Sequence, residues 1–360
     1  MREYEIYIYV RMEKSMEKYK MIGKQSVKFK NPPYILGCAS VVGEKEAEGP
    51  YGQYFEKLEM DPKAGEDTWE EAEGKFQEKA AELAIKNAGC KVTDIRYIVA
   101  GDLLGQLMAS SFGLMKLDRP LFGVYGACST MGESLAVASM IAEGGFADRV
   151  LAITSSHFAS AERQFRFPLA YANQRKKSAT WTVTGSGAVV VACAEGKKEE
   201  KGEVHIEGIT TGKVIDYGVK DSMNMGACMA PAAAEVIVQN FIDFGYGPEM
   251  YDKIITGDLG LVGKDILIDI VHEKGYDISG NYMDCGIEIY GSDQNVQSGG
   301  SGCGCSAVML TGFILHKLRA GEWKRVLFVP TGALLSQVSF NEGNSVPGIA
   351  HAVILRREEI

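Results

Sequence analysis

No apolar run in this sequence approaches the roughly 18 residues that a membrane-crossing helix needs, the longest clear one being residues 188–194. A soluble or peripheral protein without a transmembrane segment is therefore expected. No secretory signal is evident, so the eight cysteines are expected as reduced thiols in a cytoplasmic compartment, not as a disulfide framework. Positive charge is in deficit: 38 Lys and Arg against 47 Asp and Glu give a net charge of -9. That balance excludes a general nucleic-acid binder and leaves room for a local basic pocket for a small anion. The glycine-rich stretch 299–304 lacks the Lys-Ser/Thr of a phosphate loop and matches no nucleotide fingerprint. Cys303 and Cys305 have no second cluster at metal-ligand spacing, so no metal site is expected there.

What is present is ample core. At 46% hydrophobic content over 360 residues, the chain can build two domains, or one large domain of two similar halves, without staples. It is organised around residues 121–157, LFGVYGACSTMGESLAVASMIAEGGFADRVLAITSSH. Residues 121–125 read as a buried strand, Gly126 and Ala127 as a sharp turn, and a helix follows from Ser129 or Thr130 to Gly144 and Gly145. Residues 150–154 are a second strand, completing a βαβ unit with a right-handed crossover. Cys128 falls at the strand-to-helix elbow. There the positive end of the helix dipole is expected to lower the thiol's pKa and favour the thiolate; the alternative is a small buried hydrophobe at a crowded turn.

Around that unit, residues 69–89 have helical periodicity and 96–100 read as a strand. Residues 180–193 read as two strands joined by a turn at Gly185, Ser186 and Gly187. The charged run 195–203 is the best linker in the chain. Residues 1–20 are expected to be a non-functional extension, read from a start codon upstream of the natural one. The second half repeats the first: KIITGDL (253–259) echoes YIVAGDL (97–103), and GCSAVMLTGFILHKLRAGEWKRV (304–326) echoes ACSTMGESLAVASMIAEGGFADRV (127–150). This duplication predicts an α/β fold of two βαβ-rich halves, 21–195 and 204–357, about a pseudo-twofold axis, with helices between and outside the sheets.

Other residues invite functional readings. Ser156 and His157 are adjacent on a strand and point to opposite faces, so they make no nucleophile-base pair without a bend; a packed histidine is the plainer reading. Arg163 and Arg166, three apart and flanked by Phe165 and Phe167, would share a face if helical. They would then clamp a dicarboxylate with paired guanidinium groups; a solvated face is the alternative.

A duplicated α/β chain with a cysteine at the first-half elbow resembles the thiolase superfamily, including the β-ketoacyl synthases. Within it, AGDLLGQ (100–106), FGVYGACST (122–130), SSHFASAERQFRFP (155–168), TVTGSGAVV (182–190), MGACMAPAAAE (225–235), ITGDLG (255–260), GGSGCGCSAV (299–308) and PTGALLS (330–336) resemble the stage V sporulation protein AD family. The resemblance covers residues 21–357. It implies a thiolase-like fold that binds dipicolinic acid and helps move it, with calcium, into the forespore. It also implies work at the cytoplasmic face of the forespore inner membrane with other stage V sporulation A membrane proteins, and homodimerisation.

The superfamily's condensing enzymes complement the elbow cysteine with a histidine and a second histidine or asparagine. Here the matching segments carry Asp258 and Ser301, and the Gly-rich C-terminal loop carries His351. An ionised Asp258 would raise the pKa of a neighbouring thiol, and it could donate a hydrogen bond to an oxyanion only after protonation. The pocket implied is lined by Cys128, His157, Arg163, Arg166, Asp258, Ser301 and His351, without a confident catalytic residue, metal or cofactor. A ligand-binding protein using a degenerate condensing pocket is the leading expectation. An acyltransferase with Cys128 as nucleophile and a docking subunit of a membrane channel are the alternatives.

Overall fold

The duplication is written into the strand order. The computed structural model describes residues 20–165, 175–194 and 200–359. Its first half contributes β1 (Tyr34–Gly43), β2 (Tyr97–Gly101), β3 (Leu121–Gly123), β4 (Arg149–Ser156) and β5 (Gly185–Ala192). The second contributes β6 (Val204–Thr210), β7 (Lys253–Thr256), β8 (Tyr282–Asp284), β9 (Arg325–Val329) and β10 (Ala352–Arg357). The first five are ordered β3-β2-β4-β5-β1 and the second five β8-β7-β9-β10-β6. Each set has three parallel strands followed by antiparallel ones. A single residue pair, Tyr34 with His205, joins β1 to β6 and makes one sheet of the two sets.

Strand alternation sorts the core into layers. In β4 and β5, Leu151, Ile153, Ala188 and Val190 face outward to helix α1 (Trp69–Asn87). Val150, Ala152, Val189 and Val191 face inward, toward α2 (Thr130–Glu143) and the later helix α6 (Cys303–Met309), as a period of two requires. In the second half Val326, Phe328, Val353 and Leu355 face the same inner layer, while Leu327, Val329 and Ile354 face α4 (Met225–Phe244) and α5 (Gly260–Glu273). Strands covered on both faces must be apolar throughout, which is why the sequence reads so hydrophobic in short runs. Helix α1 starts where Thr68 accepts from the Glu71 N–H and Glu71 reaches back to the Thr68 N–H, a reciprocal cap that stabilises by about 1 kcal/mol. Between β4 and β5 lies α3 (Phe158–Phe165), and α6 continues through a π turn, Leu310–Ile314, into α7 (Leu315–Ala320).

Three local expectations are corrected. The apolar run 121–125 is not a buried strand: β3 is the sheet's edge, with Leu121, Phe122 and Tyr125 37%, 49% and 45% exposed. Gly185, Ser186 and Gly187 lie inside β5, not in a turn; glycine is needed at 187 because the backbone of Ala307 in α6 packs where a Cβ would stand. The turn expected at Gly126 and Ala127 is present, with a positive φ of 50° at Ala127. One described helix, α4, is long and apolar enough to cross a membrane, but it is mostly buried between the second-half sheet and α5. The expected linker and the N-terminal extension fall largely outside the described residues.

Candidate functional site

The elbow is braced by the residues that follow it. Ser129 Oγ donates to the Gly126 carbonyl at 2.7 Å, Thr130 Oγ1 to the Ala127 carbonyl at 2.5 Å, and the Gly126 N–H donates to Thr130 Oγ1 at 3.1 Å. These bonds hold Ala127 in a left-handed conformation, which for a non-glycine residue stores on the order of 1–3 kcal/mol. Gly332, in the short strand Thr331–Ala333 that follows β9, closes over the turn so tightly that a Cβ there would lie 2.1 Å from the Gly126 carbonyl oxygen. The elbow therefore presents Cys128 at the start of α2 in one fixed orientation.

Beside Cys128 is a narrow cavity of about 40 Å³, opening to solvent and lined largely by Leu103, Tyr125, Ala161, Met225, Ser301 and Leu335. Lys, Arg and His are absent from its wall among the described residues. Cys128 Sγ lies 3.9 Å from Ser301 Oγ. Asp258, fully buried after β7, accepts Ser301 Oγ at 3.0 Å and the Gly302 N–H at 2.9 Å on one oxygen, and Thr331 Oγ1 at 2.9 Å on the other. The structure thus brings Cys128, Ser301 and Asp258 together.

Their electrostatics overturn the expectation of a thiolate. Burial, and next the Asp258 carboxylate, push the Cys128 thiol well above the usual range; the start of α2 does not offset them. Burial raises Asp258 to about 6, opposed by hydrogen bonding from Cys128, Gly302 and Thr331. A protonated thiol beside a carboxyl that titrates near neutrality has no imidazole to take its proton.

The other predicted site residues lie elsewhere. His157 is buried outside the cavity wall. Its Nδ1 accepts the Ala159 N–H at 3.2 Å, so Nε2 carries the proton and donates to the Pro62 carbonyl at 2.8 Å. Its ring stacks on Phe158 at 5.4 Å, and burial lowers its pKa. His351 sits behind the elbow, where its Cβ and carbonyl fill the space a side chain would need at Gly132. Its Nδ1 accepts weakly from Gly212 at 3.4 Å, and burial lowers it to about 4. Arg163 reaches out from α3 to Glu70 at 3.3 Å, with a side chain 55% exposed, because α3 turns that face to α1 and solvent. Arg166 lies outside the described residues.

Sequence reasoning missed the apolar wall and the carboxyl network behind it. Leu103, Tyr125, Thr182, Met225 and Leu335 all fall within or beside the motifs that carry the family resemblance, so the signal was present without a role attached. Glu73, buried in α1, accepts Ser155 and Ser160 hydroxyls at 2.9 and 2.6 Å. Burial and the neighbouring Asp102 raise it to about 8.

Comparison with known proteins follows this geometry. Residues 23–356 match the family described as Stage V sporulation protein AD (SpoVAD). The chain is 43% identical over 338 residues to Stage V sporulation protein AD of Bacillus subtilis (strain 168), covering 94% of this chain and 98% of that protein. Solved structures share the fold at low identity. The tetronic acid condensing enzyme AbyA1 superposes with a TM-score of 0.57 at 16% identity, over 90% of this chain and 99% of its own. For 3-oxoacyl-[acyl-carrier-protein] synthase III from Aquifex aeolicus VF5 the TM-score is 0.53 at 16% identity, with the same coverage. Cerulenin-bound OleA from Xanthomonas campestris gives 0.57 at 14%, over 91% and 97%. The thiolase-like fold implied by the family resemblance is the fold observed.

Proposed function

The chain belongs to the stage V sporulation protein AD family, and from that premise we propose that it is a non-condensing, ligand-binding member that takes dipicolinic acid into the cavity beside Cys128. One observation carries this reading: Asp258 and Ser301 are hydrogen-bonded to each other next to a buried, protonated Cys128. A condensing enzyme needs the thiolate, a proton acceptor for it and donors for an oxyanion. Here the acceptor position holds a carboxyl whose charge opposes thiolate formation. The cavity keeps what a flat aromatic acid requires, namely apolar walls at Leu103, Ala161 and Met225, with hydroxyls at Tyr125, Thr182 and Ser301.

In this reading the protein serves dipicolinate uptake into the forespore, with calcium accompanying the ligand. It acts peripherally at the cytoplasmic face of the inner membrane, beside other stage V sporulation A membrane proteins. The unpaired edge β3, with Leu121, Phe122 and Tyr125 exposed, seats a second copy of the chain; sedimentation at micromolar concentration should show a dimer that a charge at Phe122 dissociates. The decisive experiment is calorimetric titration with dipicolinate, with and without calcium, beside intact-mass spectrometry after incubation with acyl-coenzyme A. Saturable binding without an acyl adduct is expected. A stoichiometric thioester on Cys128 would make the protein an acyltransferase instead.

A further inference from the structure

We propose that Asp258 takes up a proton when a carboxylate ligand enters the cavity, and that Ser301 relays this change by turning its hydroxyl from Asp258 to the ligand. The inference rests on the reading of the cavity as a carboxylate site and adds how that site avoids repelling its ligand. An ionised carboxylate only accepts hydrogen bonds. While Asp258 is ionised, Ser301 must spend its single proton on Asp258 Oδ2, at 3.0 Å, and shows the cavity lone pairs. A ligand carboxylate would meet an acceptor surface and, one residue deeper, a like charge. Once Oδ2 carries a proton, it donates to Ser301 Oγ, and the Ser301 hydrogen is released toward Cys128 and the cavity. Ser301 lines that cavity, whereas the other hydroxyl on Asp258, that of Thr331, does not. One proton enters from solvent for each carboxylate bound, and no covalent bond changes.

The surroundings leave Asp258 as the group beside the cavity that responds. Cys128 faces it from the elbow and Cys303 and Cys305 from α6, all thiols raised well above their usual range by burial. Asp284 and Cys285 face it from the end of β8. Asp284 is anchored by Thr256 Oγ1 and the N–H groups of Leu259, Gly260 and Ile287, four donors that fix it away from the cavity. Tyr125, raised to about 12, stays neutral. His157 and His351, both lowered, are neutral above pH 6.5. Asp258, at about 6, is mostly ionised at pH 7.5 in the empty protein. A ligand anion a few ångströms away raises it further, since like charges disfavour each other's ionisation.

The test is isothermal calorimetry of the full chain with dipicolinate from pH 6.5 to 8.5, in pairs of buffers with different ionisation enthalpies. The expected result is uptake approaching one proton per ligand near pH 7.5, with affinity falling by up to about tenfold per pH unit. Asp258→Asn, which carries no charge at any pH, should bind without proton uptake and with affinity constant to about twofold across this range. Ser301→Ala should keep part of the uptake and lose about tenfold or more in affinity, as the loss of a charge-assisted hydrogen bond entails. Buffer-independent heats with tight wild-type binding would overturn the inference and leave the binding reading intact. So would uptake that persists in Asp258→Asn, which would assign the proton to another group such as Glu73. No binding by the folded wild type at any pH would remove the binding reading itself.

Discussion

Asp102 and Asp258 close the two copies of one segment, YIVAGD and KIITGD, and both are fully buried at the ends of parallel strands. Their partners differ. Asp102 bonds its own neighbourhood: the Leu104 N–H on Oδ1 at 2.8 Å, and the Ser110 N–H and hydroxyl on Oδ2 at 2.8 and 2.6 Å. Asp258 bonds the backbone N–H of Gly302 and the hydroxyls of Ser301 and Thr331, which come from distant parts of the chain. Duplication supplied two identical acids; one became a loop anchor and the other the support behind a cavity-lining serine. The cysteines diverged in the same way. Cys128 precedes the start of α2, while Cys305 is the third residue of α6, so the extra helical residues draw Cys305 into the core, where its thiol donates to the Gly257 carbonyl at 3.5 Å.

The sharpest way to break the comparison is to change each aspartate to asparagine. Asp102 has a backbone N–H fixed on each oxygen, and an asparagine satisfies one and opposes the other. Asp102→Asn should therefore destabilise by about 2 kcal/mol, the cost of one buried unpaired donor. Asp258 has one fixed N–H, that of Gly302 on Oδ2; an asparagine meets it with its carbonyl and turns its NH2 to the Thr331 hydroxyl, which can rotate to accept, so Asp258→Asn should cost under about 1 kcal/mol. Denaturant midpoints of the two variants decide; equal losses would mean that the aspartates still play the same part.

A second prediction concerns the acid network beside Asp102. Glu73 is raised from 4.5 to about 8, so between those values the folded protein holds a proton that the unfolded chain has released. The stability tied to this group is fully present below about pH 4.5 and is lost as pH rises to about 8. Its largest slope is about 1.36 kcal/mol per pH unit. Glu73→Gln removes this contribution, so its stability relative to wild type should improve steadily from pH 5 to pH 7.5 whatever its absolute cost. A parallel pair of stability curves would place the proton elsewhere.

The thiols offer a third, smaller contrast. A small alkylating reagent should label Cys128 slowly at pH 7 and faster as pH rises, because its thiol is held neutral. Saturating dipicolinate should slow that labelling several-fold. Cys305 should be untouched until the protein unfolds, with or without ligand. Peptide mass spectrometry follows both, and an unprotected but reactive Cys128 would place the ligand outside this cavity.

How far the sequence reached follows from the range of the interactions. The duplication, the elbow and helix α1 are local patterns of short period, and each was legible. Cys128, Asp258 and Ser301 could be gathered into one site because the resemblance to the condensing enzymes marks the second-half segments that meet the elbow cysteine. Exposure was not legible: Leu121 and Phe122 are apolar whether the strand is central or at an edge, and the strand order decides which. The direction of the thiol's pKa was legible only in part: Asp258 was expected to raise it and the helix start to lower it, but complete burial, the largest cause, is not a sequence feature. The positive φ at Ala127 was hidden for a related reason, because the hydroxyls that hold it belong to Ser129 and Thr130, which read simply as a helix start.

The smallest expected effect belongs to a residue that the sequence offered as a ligand clamp. Arg163, between aromatic residues in an acidic chain, invited the role of a ligand clamp. In the fold it is a surface link from α3 to Glu70 near the start of α1, with Nη1 3.3 Å from one carboxylate oxygen and its side chain half in water. An exposed pair of this kind gains little Coulomb energy and spends side-chain entropy, so it stabilises by about 0–1 kcal/mol. The cavity wall carries no guanidinium among the described residues, and a charge outside it is screened within about 8–10 Å at ordinary salt. Arg163→Ala should therefore shift the denaturant midpoint within the range expected of a surface change and leave dipicolinate affinity within about twofold of wild type. Asp258→Asn, by contrast, should change how that affinity depends on pH. A tenfold loss in Arg163→Ala would show that α3 swings its outer face toward the ligand on binding, and the clamp would return as a property of the bound state.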